Sequence, residues 1–242
     1  MAPTSAPPIP PRERLILALD VDSIADARAL VARLGDAVVF YKLGLSLVFD
    51  ENFWPFCREL AARGKKVFAD LKLFDVPETV AAGVKQLARR GAAFATVHAH
   101  EAMIEAAVRA RGDSGLKILA VTVLTSLDQG DVKALGFDVP SVERLVLSRA
   151  ERALAAGADG VISSGLEAAA LRGTLGARPL IVVPGIRPVE NKPADDQKRT
   201  VDVEDAFRAG ADYIVVGRPL SRAPDPRAAA EAMQARIAKI FG

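Results

Sequence analysis

What most constrains this chain is a strict alternation along its length. Short apolar runs of β type are followed, each time, by Ala/Leu/Arg-rich stretches of helical spacing. Eight runs can be read, at residues 15–19, 38–43, 66–73, 94–99, 118–124, 160–163, 180–184 and 213–217. Most are nearly continuously apolar, the pattern of parallel strands buried on both faces. The punctuation repeats as well. Gly91-Ala92-Ala93, Gly157-Ala158-Asp159 and Gly210-Ala211-Asp212 each stand just before a run, where glycine can take the left-handed conformation that ends a helix. Ser23 with Asp26 resembles a capping box in which Asp replaces Glu. Pro77 suits a first helical turn. Eight β–α units in 242 residues predict a single-domain α/β protein, a (β/α)8 TIM barrel, a fold of ~250 residues. The rival, a doubly wound open sheet, lacks support because no G-x-G-x-x-G follows the first run.

The barrel is expected over residues 13–242, behind a disordered Pro-rich leader at 1–12. That leader has no basic residue or apolar core before Arg12, so it does not read as a signal peptide. Composition narrows the function classes. Basic and acidic side chains nearly cancel, 32 against 30, which argues against a nucleic-acid partner or a polybasic membrane contact. No apolar run approaches the ~18–20 residues of a membrane span. The single cysteine, Cys57, excludes an internal disulfide and a Cys-rich zinc site, and two histidines, His98 and His100, cannot make a three-histidine metal site. Cys57 lies beside Trp54 and Phe56 and reads as packing. Residues 227–239 read as the amphipathic helix that closes the barrel. A cytoplasmic protein acting on a small molecule is the expectation.

Active sites of such barrels lie at the C-terminal strand ends, so the polar residues there carry the search. The first strand ends in Asp20, the second in Tyr41-Lys42-Leu43-Gly44, and the eighth in Gly217-Arg218. The third contains Asp70-Leu71-Lys72-Leu73-Phe74-Asp75. Asp70 and Lys72, two apart, share one side of the strand; with Leu71 and Leu73 toward the helices, both charges face the barrel mouth. Buried charges need partners, and Lys42 on the adjacent strand is the natural one. A structural salt-bridge network closing the barrel is the alternative to a reactive site. The long polar loop after the seventh strand, with Arg187 and Gln197, is of a length that is uncommon unless functional or disordered.

These residues carry a family resemblance. The block from Asp70 to Thr79, DLKLFDVPET, is similar to the signature of the orotidine 5′-phosphate decarboxylases. Leu-Ala-Leu-Asp20, Tyr-Lys42-Leu-Gly, Val-Leu-Thr125-Ser126, Pro184-Gly-Ile-Arg187, Gln197 and Val-Val-Gly217-Arg218 follow in the family's order. The block departs from the usual pattern at Phe74, where histidine is common, and at Glu78, where asparagine is common; neither is an acid–base group. The resemblance implies loss of carbon dioxide from C6 of a pyrimidine nucleotide with no metal and no cofactor. It implies Lys42, Asp70, Lys72 and Asp75 as an alternating catalytic array, with Lys72 the proton donor. It further implies a homodimer in which Asp75 and Thr79 reach the partner's site. Asp20 and Lys42 would hold the ribose, Thr125 and Ser126 the pyrimidine edge, and Arg187, Gln197, Gly217 and Arg218 the phosphate, with the loop as a lid. The competing readings are a magnesium-dependent sugar-phosphate decarboxylase or aldolase of the same superfamily, and a phosphate-ligand sensor without turnover. The His98/His100 pair reads as rim polarity.

Overall fold

The computed structural model describes residues 9–187 and 201–242. Strand β1 (Leu15–Ala18) leads to helix α1 (Ile24–Leu34). Strand β2 (Phe40–Gly44) is followed by α2 (Leu45–Val48) and α3 (Phe53–Ala62), β3 (Lys66–Leu73) by α4 (Pro77–Arg89), and β4 (Phe94–His98) by α5 (Glu101–Arg111). Then come β5 (Lys117–Val121), α6 (Gln129–Ala134), α7 (Val142–Ala155), β6 (Gly160–Ile162), α8 (Ala168–Leu175) and β7 (Leu180–Pro184). The chain ends with α9 (Val203–Arg208), β8 (Tyr213–Val216), α10 (Arg218–Ser221) and α11 (Pro226–Phe241). Each strand pairs in parallel with its sequence neighbours, and β8 closes on β1. The predicted (β/α)8 barrel is therefore the observed fold. No helix among the described residues is long and apolar enough to cross a membrane.

Strand alternation divides the core in two. One set of side chains, Leu15, Leu17, Tyr41, Leu43, Ala69, Ala95 and Val97 among them, packs outward against the helices. The other, Ile16, Ala18, Phe40, Phe68, Phe94, Leu119, Val182, Tyr213 and Val215, fills the barrel. Its densest part is aromatic. The Phe94 ring lies 4.9 Å from Phe40, 5.8 Å from Phe68 and 5.1 Å from Tyr213, all tilted or edge-to-face, the geometry aromatic quadrupoles prefer. This plug closes the lower barrel, and the inward positions next above it on β2 and β3 are Lys42 and Asp70.

The local signals have physical readings. Gly91, Gly157 and Gly210 all have positive φ, as helix-stop glycines should. The aspartates of the repeated Gly-Ala-Asp do more. Asp159 accepts from the Ile118 N–H at 2.8 Å, and Asp212 accepts from the Ile181 N–H at 2.8 Å. Their own N–H groups donate to the carbonyls of the same two residues. Each aspartate thus pins the start of the preceding strand, and Arg172 neutralises Asp212 at 2.7 Å. Ser23 caps α1 by accepting from the Asp26 N–H, but its hydroxyl donates to the Asp26 carboxylate at 2.6 Å in place of the second half of a capping box. Pro77 opens α4, and α11 buries Ala230, Met233 and Ile237 as the closing helix. Ahead of β1, Ile9 packs on the barrel's inner layer and Pro11–Glu13 form a 3-10 turn.

Phe94 is the hub of the plug, so Phe94→Ala should lower the unfolding free energy by about 3–5 kcal/mol and Phe94→Leu by clearly less. Urea denaturation measures both; a loss below about 1 kcal/mol for the alanine variant would show that the plug is dispensable.

Candidate active site

Directly above the plug a cavity of about 620 Å³ opens at the C-terminal ends of the strands. Its apolar floor includes Ala18, Phe68, Val121, Ile162 and Val215. Asp20, Lys42, Asp70, Lys72, Thr125, Ser126, Arg187, Gly217 and Arg218 line it. The fold therefore brings together nine of the predicted site residues from six strand ends, those after β1, β2, β3, β5, β7 and β8. Gln197 lies outside the described residues.

The charges form a chain. Asp70 Oδ2 stands 2.8 Å from Lys72 Nζ and 3.3 Å from Lys42 Nζ, and Lys42 in turn reaches Asp20 Oδ1 at 3.1 Å. Lys42 and Asp70 side chains are 12% and 10% exposed, whereas Lys72 keeps 36%. Burial works against charge on Asp70, yet the two ammonium groups outweigh it and hold the carboxyl below its ordinary range. Burial likewise opposes charge on Lys42, and the Asp70 and Asp20 carboxylates outweigh it, holding the ammonium above its ordinary value. Asp70, depressed on folding, contributes stability above its unfolded value of ~3.9 and loses it as pH falls through the lower folded value. Lys42, raised on folding, contributes below ~10.4 and loses that as pH rises through its folded value. Between those limits Asp70 and Lys42 are both charged.

The backbone at Lys72 is unusual. Its φ of 47° makes it the one non-glycine residue in the left-handed region among the described residues, a conformation that costs a Cβ-bearing residue roughly 1–2 kcal/mol. The β3–β4 register shifts here: Ala69 pairs with Ala95 and Leu73 with Val97, so β3 spends four steps where β4 spends two. Asp70 and Lys72 do face the mouth together, as the sequence predicts, but through a bulge and not through regular alternation. Thr96, fully buried, stands opposite the bulge and touches both residues.

Asp75 and Thr79 are exposed and do not line the main cavity. They line a second depression of about 270 Å³ with Lys72, Phe74 and Val80, and Asp75 accepts from the Val76 N–H at 2.7 Å. Lys72 borders both spaces. Phe74 and Val76, 67% and 64% exposed, flank Asp75 on the same loop, and Phe49 beyond β2 is 87% exposed.

Sequence reading missed three residues. Ser46 and Arg222 also line the cavity, and Arg222 stands four residues after Arg218, one helical turn on. Thr96 is the third; a threonine aligned on β4 between inward Phe94 and His98 was the available signal. His98 stacks edge-on to Phe74 at 5.1 Å, and burial, then Arg149 and Lys72, keep its pKa low. Cys57 is buried and its thiol is pushed up to about 12 by burial, which agrees with packing. Among the described residues no group of three or more His, Cys, Asp or Glu is placed to hold a metal ion.

Comparison with known proteins bears on this site. The chain is 59% identical over 234 residues to the orotidine 5'-phosphate decarboxylase of Methylococcus capsulatus, covering 97% of this chain and 96% of that one. It is 49% identical over 234 residues to the protein of the same name from Bradyrhizobium diazoefficiens, covering 97% and 98%. In three dimensions it resembles the crystal structure of orotidine 5'-phosphate decarboxylase from Lactobacillus acidophilus, with a TM-score of 0.80, 37% identity and coverage of 93% and 99%. Residues 13–233, from the turn before β1 into α11, match one family throughout. The barrel, its charged mouth and these similarities agree: the chain belongs to the Orotidine 5'-phosphate decarboxylase / HUMPS family.

Proposed function

We propose that this protein decarboxylates orotidine 5′-phosphate to uridine 5′-phosphate and carbon dioxide, the last step of UMP biosynthesis, in the cytoplasm. The observation that carries the reading is the Lys42–Asp70–Lys72 array above an apolar floor, at distances of 3.3 and 2.8 Å, in a chain of this family. A purely structural network would be sealed; this one borders a cavity of a size that suits a nucleotide.

The chemistry follows from which lysine can give up a proton. Lys42 is held by two carboxylates, Asp20 and Asp70, and serves to orient and to bind ribose with Asp20. Lys72 has one carboxylate partner among the described residues and is the more exposed. In the reaction the bond from C6 to the carboxylate breaks, carbon dioxide leaves, and the electron pair stays on C6. The Lys72 ammonium stabilises that charge and then gives its proton to C6. Preorganised charge in a site with little water to reorganise is an effective source of such stabilisation. Asp70, beside the departing carboxylate, holds Lys72 in place. The array needs no cofactor for this step.

At the other side of the cavity, Arg187, Gly217 and Arg218 at the ends of β7 and β8 would take the phosphate, joined by Gln197. The fold commonly binds phosphate there, and Arg218 offers a forked donor. Thr125 and Ser126, in the turn after β5, would read the pyrimidine edge. We further propose a homodimer in which Asp75 and Thr79 complete the partner's site. Their position outside their own cavity and the exposed apolar side chains of Phe74 and Val76 beside Asp75 support that arrangement.

Two outcomes test the reading. Lys72→Ala should remain folded by circular dichroism and lose at least ~10²–10³ in turnover; a folded variant with near-normal turnover removes Lys72 from the chemistry. Mixing inactive Lys72→Ala and Asp75→Asn proteins should restore roughly a quarter of all sites after random subunit exchange, because the mixed dimer has one site with neither lesion. A mixture shown by mass to have exchanged, yet inactive, would put all four charges in one chain.

A further inference from the structure

We propose that Thr96 is a positioning residue for this site: its hydroxyl holds the Lys72 backbone and the Asp70 carboxylate in their working arrangement at once. The inference rests on the decarboxylase reading above and adds to it a residue outside the charged array.

The argument begins with the interrupted ladder. Between Ala69 and Leu73 strand β3 bulges away from β4, so the Lys72 N–H has no strand carbonyl opposite it. An unpaired buried N–H is destabilising. Thr96 Oγ1 accepts this N–H at 2.9 Å, and the same hydroxyl donates its proton to Asp70 Oδ1 at 2.9 Å. One side chain therefore replaces the missing ladder bond and binds the carboxylate oxygen that the lysines leave free, since both lysines sit on Oδ2. The consequence is directional. With Oδ1 tied to β4, the Asp70 carboxylate can present Oδ2 only toward Lys42 and Lys72. With its N–H tied to β4, Lys72 is kept at φ 47°, which carries its Nζ back over Asp70 at 2.8 Å. A methyl in place of the hydroxyl would free both groups without altering side-chain shape appreciably. The groups that face Asp70 are Lys42 from β2, Lys72 from β3 and Thr96 from β4. Asp20, after β1, lies beyond Lys42, and His98 on β4 lies toward Lys72.

The test compares Thr96→Val and Thr96→Ser with the unchanged protein. With orotidine 5′-phosphate as substrate, Thr96→Val should lower kcat roughly 10–100-fold, the loss expected for a hydrogen bond to a charged group, while KM changes less than about 3-fold. Thr96→Ser, which keeps the hydroxyl, should recover most of kcat. A 13C-NMR titration of the Asp70 carboxyl should show it ionising at higher pH in Thr96→Val and returning toward the original value in Thr96→Ser, because a bond to the charged form has been lost and then restored. A folded Thr96→Val protein with unchanged kcat, or a serine variant as impaired as the valine one, would overturn the proposal. If the unchanged protein fails to turn over orotidine 5′-phosphate, the decarboxylase reading falls. The NMR arm then decides the positioning role alone, and an unmoved Asp70 titration refutes it.

Discussion

Two ammonium groups share one carboxylate oxygen at the mouth of this barrel, and the rest of the site is arranged around that contact. Asp70 Oδ2 lies within 3.3 Å of both Lys42 and Lys72. Removing Asp70 would leave the two ammonium groups facing each other with no shared counter-charge, which is unfavourable. The members of the cluster come from adjacent strands in register, Gly44 of β2 pairing with Asp70 of β3, so the β2–β3 pairing is what brings Lys42 and Asp70 together. The other half of the requirement is the dry floor. Phe40, Phe68, Phe94 and Tyr213 fill the barrel below, shutting water out from that side and leaving the electrostatics undiluted.

The site divides the labour between its two lysines by their surroundings. Among the described residues, Lys42 has carboxylates on two sides and little exposure, and Lys72 has one carboxylate and borders two cavities. On the proposed reading, that asymmetry would let one lysine bind and orient while the other reaches a substrate carbon. Asp75 lies outside the main cavity, in the second depression that Lys72 also borders.

Much of this was legible in the residue order. The continuously apolar run at 180–184 coincides with β7, because strands buried on both faces leave a pattern that needs no tertiary information. Asp20, Lys42, Asp70 and Lys72 were legible because charges at strand ends are costly without a purpose. Other features were not. The run at 118–124 overshoots β5, which ends at Val121; Thr122 turns its hydroxyl to the Ile162 carbonyl as the chain leaves the sheet, and hydropathy does not register such a turn. The bulge at Lys72 was invisible, since a lysine in a strand gives no sign of a left-handed backbone. Thr96 was passed over because threonine is common in strands for packing reasons alone, and only the interrupted ladder opposite it reveals what its hydroxyl does.

The central claim is that this charge array, without a metal ion, releases carbon dioxide from a pyrimidine nucleotide. The most direct test is to treat the purified protein exhaustively with EDTA, dialyse it, and follow carbon dioxide release from orotidine 5′-phosphate. The account predicts turnover equal to that of the untreated protein, with no gain on adding magnesium. Activity lost on chelation and restored by magnesium would contradict it and favour the metal-dependent sugar-phosphate chemistry of the same superfamily. Tight binding of uridine 5′-phosphate with no carbon dioxide released under either condition would contradict it as well, and leave a barrel that binds the nucleotide without acting on it.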